Sequence, residues 1–173
     1  MKVLQFALAA SLLATPVVLS QTAPTAPPPL VVIDDAQVFA DMAVSSALYG
    51  VAASETALER TQDDTVRAFA EKVLSERRHA AERLMAAAKS DSLAVGERMS
   101  PRHAAEAETL RSAEAGMFDA LYLAGQRRAI EEEVTLYQGF ATAGQAGALR
   151  DAAGELLPDI MAGQEEARAL SSP

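Results

Sequence analysis

From Asp35 onward, small and apolar residues recur at steps of three and four along four long runs, a period that points to helices and leaves no room for a sheet. The first run, Ala36 to Arg60, puts Phe39, Ala43, Ser46, Gly50, Ala53 and Ala57 on one face, with Asp34 or Asp35 placed to cap its start. Thr61-Gln62-Asp63-Asp64 punctuates. The second run carries Val66, Phe69, Val73, Arg77, Ala80 and Leu84 before fading at Ser90-Asp91-Ser92, so one arginine interrupts its stripe. Ser100-Pro101, a capping residue followed by a proline at the first helical position, opens a shorter connector that is expected to end near Ala115-Gly116. The third long run presents Phe118, Tyr122, Gln126, Ile130, Val134 and Tyr137 and stops at Gly144. The fourth presents Leu149, Ala152, Leu156, Ile160, Gly163 and Ala167, with Pro158 expected to kink it.

Helices of about 25 residues are each roughly 37 Å long, which suits a bundle whose second and third members are bridged by a long crossover. The expected fold is all-α: an antiparallel four-helix bundle, ferritin-like, with a short connector helix between the second and third long helices. A two-stranded coiled coil suits the sequence less well, because Gly and Pro break the runs at domain-like intervals.

The segment ahead of the bundle has a different character. Met1-Lys2-Val3-Leu4-Gln5 carries one positive side chain, and Phe6 to Leu19 is apolar apart from Ser11, Thr15 and Pro16. A charged start followed by an apolar stretch too short to span a bilayer, with no basic cluster after it, reads as a cleaved signal peptide. Val18 and Ser20 suit the −3 and −1 positions of a cleavage before Gln21. Residues 1–20 are therefore expected to be the leader, 21–34 a Pro/Ala/Thr-rich, polyproline-like tether, and 35–173 the bundle. The expected address is periplasmic or secreted, without a transmembrane anchor after cleavage.

Charge and cysteine content narrow the partners. The formal net charge is −9, and loss of Lys2 with the leader makes it one unit more negative, the wrong sign for phosphate backbones. Nucleic acid is not expected as a partner. With no cysteine, there is no disulfide, thiolate chemistry or lipid attachment through a thiol.

Metal chemistry in ferritin-like bundles uses a Glu from each of two helices and a Glu-x-x-His from each of the other two. One such tetrapeptide occurs, Glu76-Arg77-Arg78-His79, but Glu76 and His79 flank the apolar stripe rather than lie on it, as a surface pair would. The other histidine, His103, falls on the polar connector, and Glu131-Glu132-Glu133 has no histidine after it and reads as a solvated face. Met42, Met85, Met99, Met117 and Met161 form no Met-x-x-Met cluster, and Tyr49, Tyr122 and Tyr137 read as core residues. A Gly-rich phosphate loop and a G-x-S-x-G nucleophile turn are both missing. No cofactor or catalytic set is expected.

Phe39 opening the first helix, Val66-Arg67-Ala68-Phe69-Ala70-Glu71-Lys72-Val73, Phe118-Asp119-Ala120-Leu121-Tyr122 and Leu157-Pro158 occur in an order that resembles a family of exported bacterial proteins, the domain-of-unknown-function family 4142, regarded as ferritin-like. The resemblance implies an inward set: a Glu in the first helix, an Asp-His pair after the Val-x-x-Phe-Ala stretch, a His eight residues after the Tyr, and another five after the Leu-Pro proline. Those positions hold Gly50, Glu76-Arg77, Ile130 and Gly163 here. Glycine and isoleucine offer no ligand atom and a guanidinium repels cations, so a family metal site is not expected in this chain. An inward arginine needs a carboxylate or must reach out to water, and Glu55, Glu76 and Glu132 are the candidate partners.

Three functions follow as expectations. The first is an exported non-catalytic bundle serving as a structural, stress-related or interaction module. The second is a ferritin-like metal-binding or redox-protective protein using Glu76 and His79. The third is a binder of a small apolar ligand in a centre opened by Gly50 and Gly163. Protein partner and oligomeric state, a homo-oligomer included, are open.

Overall fold

The structure, a computed structural model, describes residues 33–170. The expected leader, its cleavage position and nearly all of the expected tether lie outside the described residues. Within them are five helices and no strand: α1 (Ala36–Arg60), α2 (Asp64–Ser90), α3 (Pro101–Arg111), α4 (Ala115–Ala143) and α5 (Ala148–Leu170). The starts of α1, α2 and α3 each have a local chemical cause. Asp35 accepts from the Val38 amide, Asp63 from those of Thr65 and Val66, and Ser100 from that of His103, with Pro101 behind it.

Helix directions follow from the residues that meet. Phe39 near the start of α1 stacks on Phe140 near the end of α4, at 4.0 Å between ring centres, while Ser54 late in α1 meets the Tyr122 hydroxyl early in α4 at 3.0 Å. These two helices are therefore antiparallel. Arg83 pairs with Glu155 and Lys72 with Glu166, which sets α2 against α5 in the same way. Short turns close the α1–α2 and α4–α5 hairpins, and the four long helices pack in the cyclic order α1, α2, α5, α4. α3 is the crossover. It carries the chain from the end of α2 to the start of α4 while lying on α1.

Small residues dominate the inner faces, and the predicted stripes are buried with one exception: Val134 is half-buried, and its neighbour Glu133 points inward instead. Phe39, Phe69, Phe118, Phe140, Leu84 and Leu149 fill the spaces between alanines. Each large side chain removed from water contributes about 1.5–3 kcal/mol. α1 is the one described helix long and apolar enough by composition to cross a membrane, and its stripe is spent on this core.

Two polar residues tie the ends together. Asp91, just past α2, accepts from the amides of Ala148 and Leu149 at 2.9 and 2.8 Å and so caps α5 from the far hairpin. Arg60 at the end of α1 donates to the carbonyls of Leu110, Arg111 and Ala113 and lies over the Phe118 ring at 4.4 Å. That capping ends the connector at Arg111, four residues before the Ala115-Gly116 stop expected from sequence; Ala115 instead begins α4. α5 stays a single helix across Pro158.

Candidate functional site

At the bundle centre, α2 offers Arg77 and α4 offers Glu133, with side chains 6% and 1% exposed. A guanidinium Nη2 lies 2.7 Å from Glu133 Oε2, off the hydrogen-bond direction, so the contact is an ion pair rather than an aligned bond. Ser46 of α1 donates to Glu133 Oε1 at 2.8 Å. Burial pushes the Glu133 carboxyl above the usual carboxylate range, against the pull of Arg77 and Ser46. The three carboxylates proposed from sequence are not the partner: Glu55 pairs with Arg78 and Glu132 with Arg102, while Glu76 pairs with Lys72. The reading of Glu131 to Glu133 as one solvated face is corrected for the same reason. Glu133 sits three residues after Ile130 and four before Tyr137, both buried, which turns it inward toward the arginine.

Of the residues at the positions where the resemblance implies inward ligands, Gly50, Arg77, Ile130 and Gly163 are buried and meet here, while Glu76 is half-buried at the edge. A Cβ on Gly50 would stand 2.7 Å from Arg77 Cγ, so the arginine stem fills the room the glycine leaves. That contradicts a ligand space opened at Gly50. A Cβ on Gly163 would be 4.0 Å from both Glu76 Oε2 and Ile130 Cδ1, an ordinary contact distance. Glu76 is half-buried and its carboxyl is pushed up chiefly by loss of water, with Lys72 pulling it back. His79 is exposed, and both line a small cleft of about 220 Å³ between α2 and α5, together with Asp159. Among the described residues, no three His, Cys, Asp or Glu side chains converge as a metal would need.

His103, read from sequence as part of a polar connector, is buried. Its Nδ1 lies 2.7 Å from Ser45 Oγ, its ring stacks on Tyr49, and its Nε2 lies 3.0 Å from an Arg102 nitrogen. A guanidinium can only donate, so Nε2 accepts and the neutral ring carries its proton on Nδ1, which donates to Ser45. Burial, helped by Arg102, holds the His103 pKa below the ordinary histidine value. Ser45 also accepts from the Ser100 amide at 2.8 Å. In this tautomer the ring cannot take the serine proton, so the Ser45–His103 pair pins α3 to α1 instead of building a nucleophile.

Beside this pair, α1, the N-terminus of α3 and α4 enclose a half-open cleft of about 310 Å³. Met42 and Leu136 form its apolar wall; Ser45, Ser46 and Ser100 supply hydroxyls; Asp41 and the Arg102–Glu132 pair stand at its rim. Glu132 is held below the usual carboxylate range by its hydrogen bond to Arg102. The tyrosines are core residues, as expected. Burial pushes all three hydroxyls up, and Tyr137 has no hydrogen-bond partner for its oxygen. Tyr49 reaches α4 where Gly125 makes room: a Cβ there would stand 2.7 Å from the hydroxyl.

Among curated proteins, no match is found. Among solved structures, the fold is similar to the crystal structure of a DUF305 fragment from Deinococcus radiodurans, with a TM-score of 0.67 and 17% identity over 79% of this chain and 94% of that one. At that identity the likeness concerns the fold alone. Residues 19–170 match the family described as Domain of unknown function (DUF4142), and the chain belongs to that family.

Proposed function

We propose that this protein is an exported, non-catalytic helical bundle of the periplasm or cell exterior, acting as a structural, stress-related or interaction module. The observation that carries the reading is the Arg77–Glu133 pair standing among Gly50, Ile130 and Gly163. A fixed guanidinium at the centre opposes any cation there, and it already pairs in charge with the inward carboxylate that a metal would use. The Ser45–His103 tautomer argues against acyl transfer at the other buried polar site. The apolar, proline-containing start of the chain supports export.

Elemental analysis of the protein purified from its own envelope fraction, with mass spectrometry of its N-terminus, tests the reading. Metal below one-tenth of the molar amount of protein, on a chain beginning at Gln21, is the expected result. Stoichiometric iron or zinc that survives dialysis and falls away in His79→Ala would sink it in favour of a metal-binding protein.

A further inference from the structure

The cleft between α1, α3 and α4 has a make-up that the central ion pair does not explain. Its volume, about 310 Å³, is at the lower end of small-molecule sites. One wall is apolar: Met42, in the second turn of α1, is 44% exposed, where a core-packing methionine would be covered, and Leu136 lines the same cleft from α4. The other wall is polar and preorganised. Ser45, Ser46 and His103 are each more than nine-tenths buried, and their orientations are fixed by bonds to one another, to Ser100 and to Glu133.

Charge selects among ligands of that shape. Glu133 is answered by Arg77 and Glu132 by Arg102, which leaves Asp41 as the lining charge with no ion partner. The cleft therefore carries about one net negative charge on a protein whose formal charge is −9, and it disfavours anions. We propose that this cleft binds a small organic cation: a protonated amine on an apolar body, the body against Met42 and Leu136 and the ammonium between Asp41 and the serine hydroxyls. An ammonium has only donors; the Asp41 carboxylate and the Ser46 and Ser100 hydroxyl oxygens can accept from it, whereas Ser45 Oγ already accepts from His103 and the Ser100 amide. The inference is independent of whether the bundle centre is metal-free.

The test uses three probes with one apolar body and three charges: 2-phenylethylamine, 2-phenylethanol and 3-phenylpropionate, titrated into the mature protein and followed by amide chemical shifts. The amine is expected to bind about fivefold more tightly than the alcohol, the gain of one partly exposed ion pair, and the acid to bind least. Asp41→Asn should bring the amine to the level of the alcohol and leave the alcohol unchanged. Leu136→Trp should abolish binding of both, with circular dichroism confirming that the bundle is intact. Absence of amine binding, equal binding of the three probes, or amine binding that Asp41→Asn leaves untouched would each overturn the proposal.

Discussion

The stem of Arg77 runs through the space that a side chain at position 50 would occupy: a Cβ on Gly50 would lie 2.7, 3.2 and 3.5 Å from Arg77 Cγ, Cδ and Cβ. The two residues are a matched pair, and neither makes sense alone. A glycine inside a helix costs about 0.5–1 kcal/mol relative to alanine, and here the cost is offset by the close approach of α1 and α2 over the arginine stem.

Gly50→Ala should therefore destabilise, by about 1–3 kcal/mol, because the atom it meets is near the root of a side chain whose far end is held by Glu133. In an Arg77→Ala background the same change should stabilise by up to about 1 kcal/mol, the ordinary helix-propensity gain. Urea unfolding of the four proteins gives the coupling. Additive effects would mean that the two residues do not share this space.

Arg77→Met removes one half of a buried ion pair and should cost about 3–5 kcal/mol at neutral pH. The pH dependence has a definite sign. Glu133 already has a folded pKa above its unfolded one, and loss of Arg77 removes the main influence holding it down. A carboxyl with a raised folded pKa loses stability as pH climbs through and above the ordinary carboxylate range, so the deficit should shrink as pH falls through that range and be smallest below about pH 4, where both states hold the proton. Adding Glu133→Leu should restore most of the stability at pH 7. A double variant no better than Arg77→Met alone would show that the cost lies in packing rather than in the orphaned charge.

The helices were legible from sequence because each apolar stripe is a local, repeating signal. The limits of α1 and the core faces of α2 and α5 follow from spacing alone. The site was legible only as a location. Arg77 stood out as a charge on an apolar stripe, but its partner is decided by a helix 56 positions away in the chain, and Val134 offered an apolar alternative to Glu133 one residue on. His103 was hidden for the same reason. Its acceptor, Ser45, is 58 residues distant, and nothing in the polar sequence around it signals burial. Likewise the end of α3 is set by Arg60, at the far end of α1.

His103 should make the docking of α3 sensitive to acid. Its folded pKa is lowered by burial and by Arg102, so the unfolded chain binds the proton more readily and stability falls as pH drops below the ordinary histidine value. Glu106 and Glu132 pull the other way, and Tyr49 and Ser45 face the ring without charge at this pH. Comparing urea midpoints at pH 7 and pH 5 checks the sign: His103→Gln should be less stable than the parent at pH 7 and lose less on acidification. Equal losses in both proteins would assign the acid response to other groups.

Asp91 should matter more than its place in a loop suggests. It follows α2, yet both its oxygens accept from the first amides of α5, and a Cβ on Gly147 would press within 2.7 Å of it, so the turn into α5 is built around this carboxylate. Removing it leaves two helix-start amides without their acceptor and strips a negative charge from the positive end of the helix dipole. Asp91→Ala should cost about 1–2 kcal/mol, in the range of a lost N-cap, and Asp91→Asn less, since an amide oxygen still accepts one of the two bonds. Because the bonds join the end of the α1–α2 hairpin to the turn of the α4–α5 hairpin, the loss should also be local in hydrogen exchange. Protection should fall at Ala148, Leu149 and the first turn of α5, and hold at Phe39 and Phe140 in the core. Uniform loss across all four long helices would mean that the carboxylate stabilises the whole bundle rather than pinning one helix start.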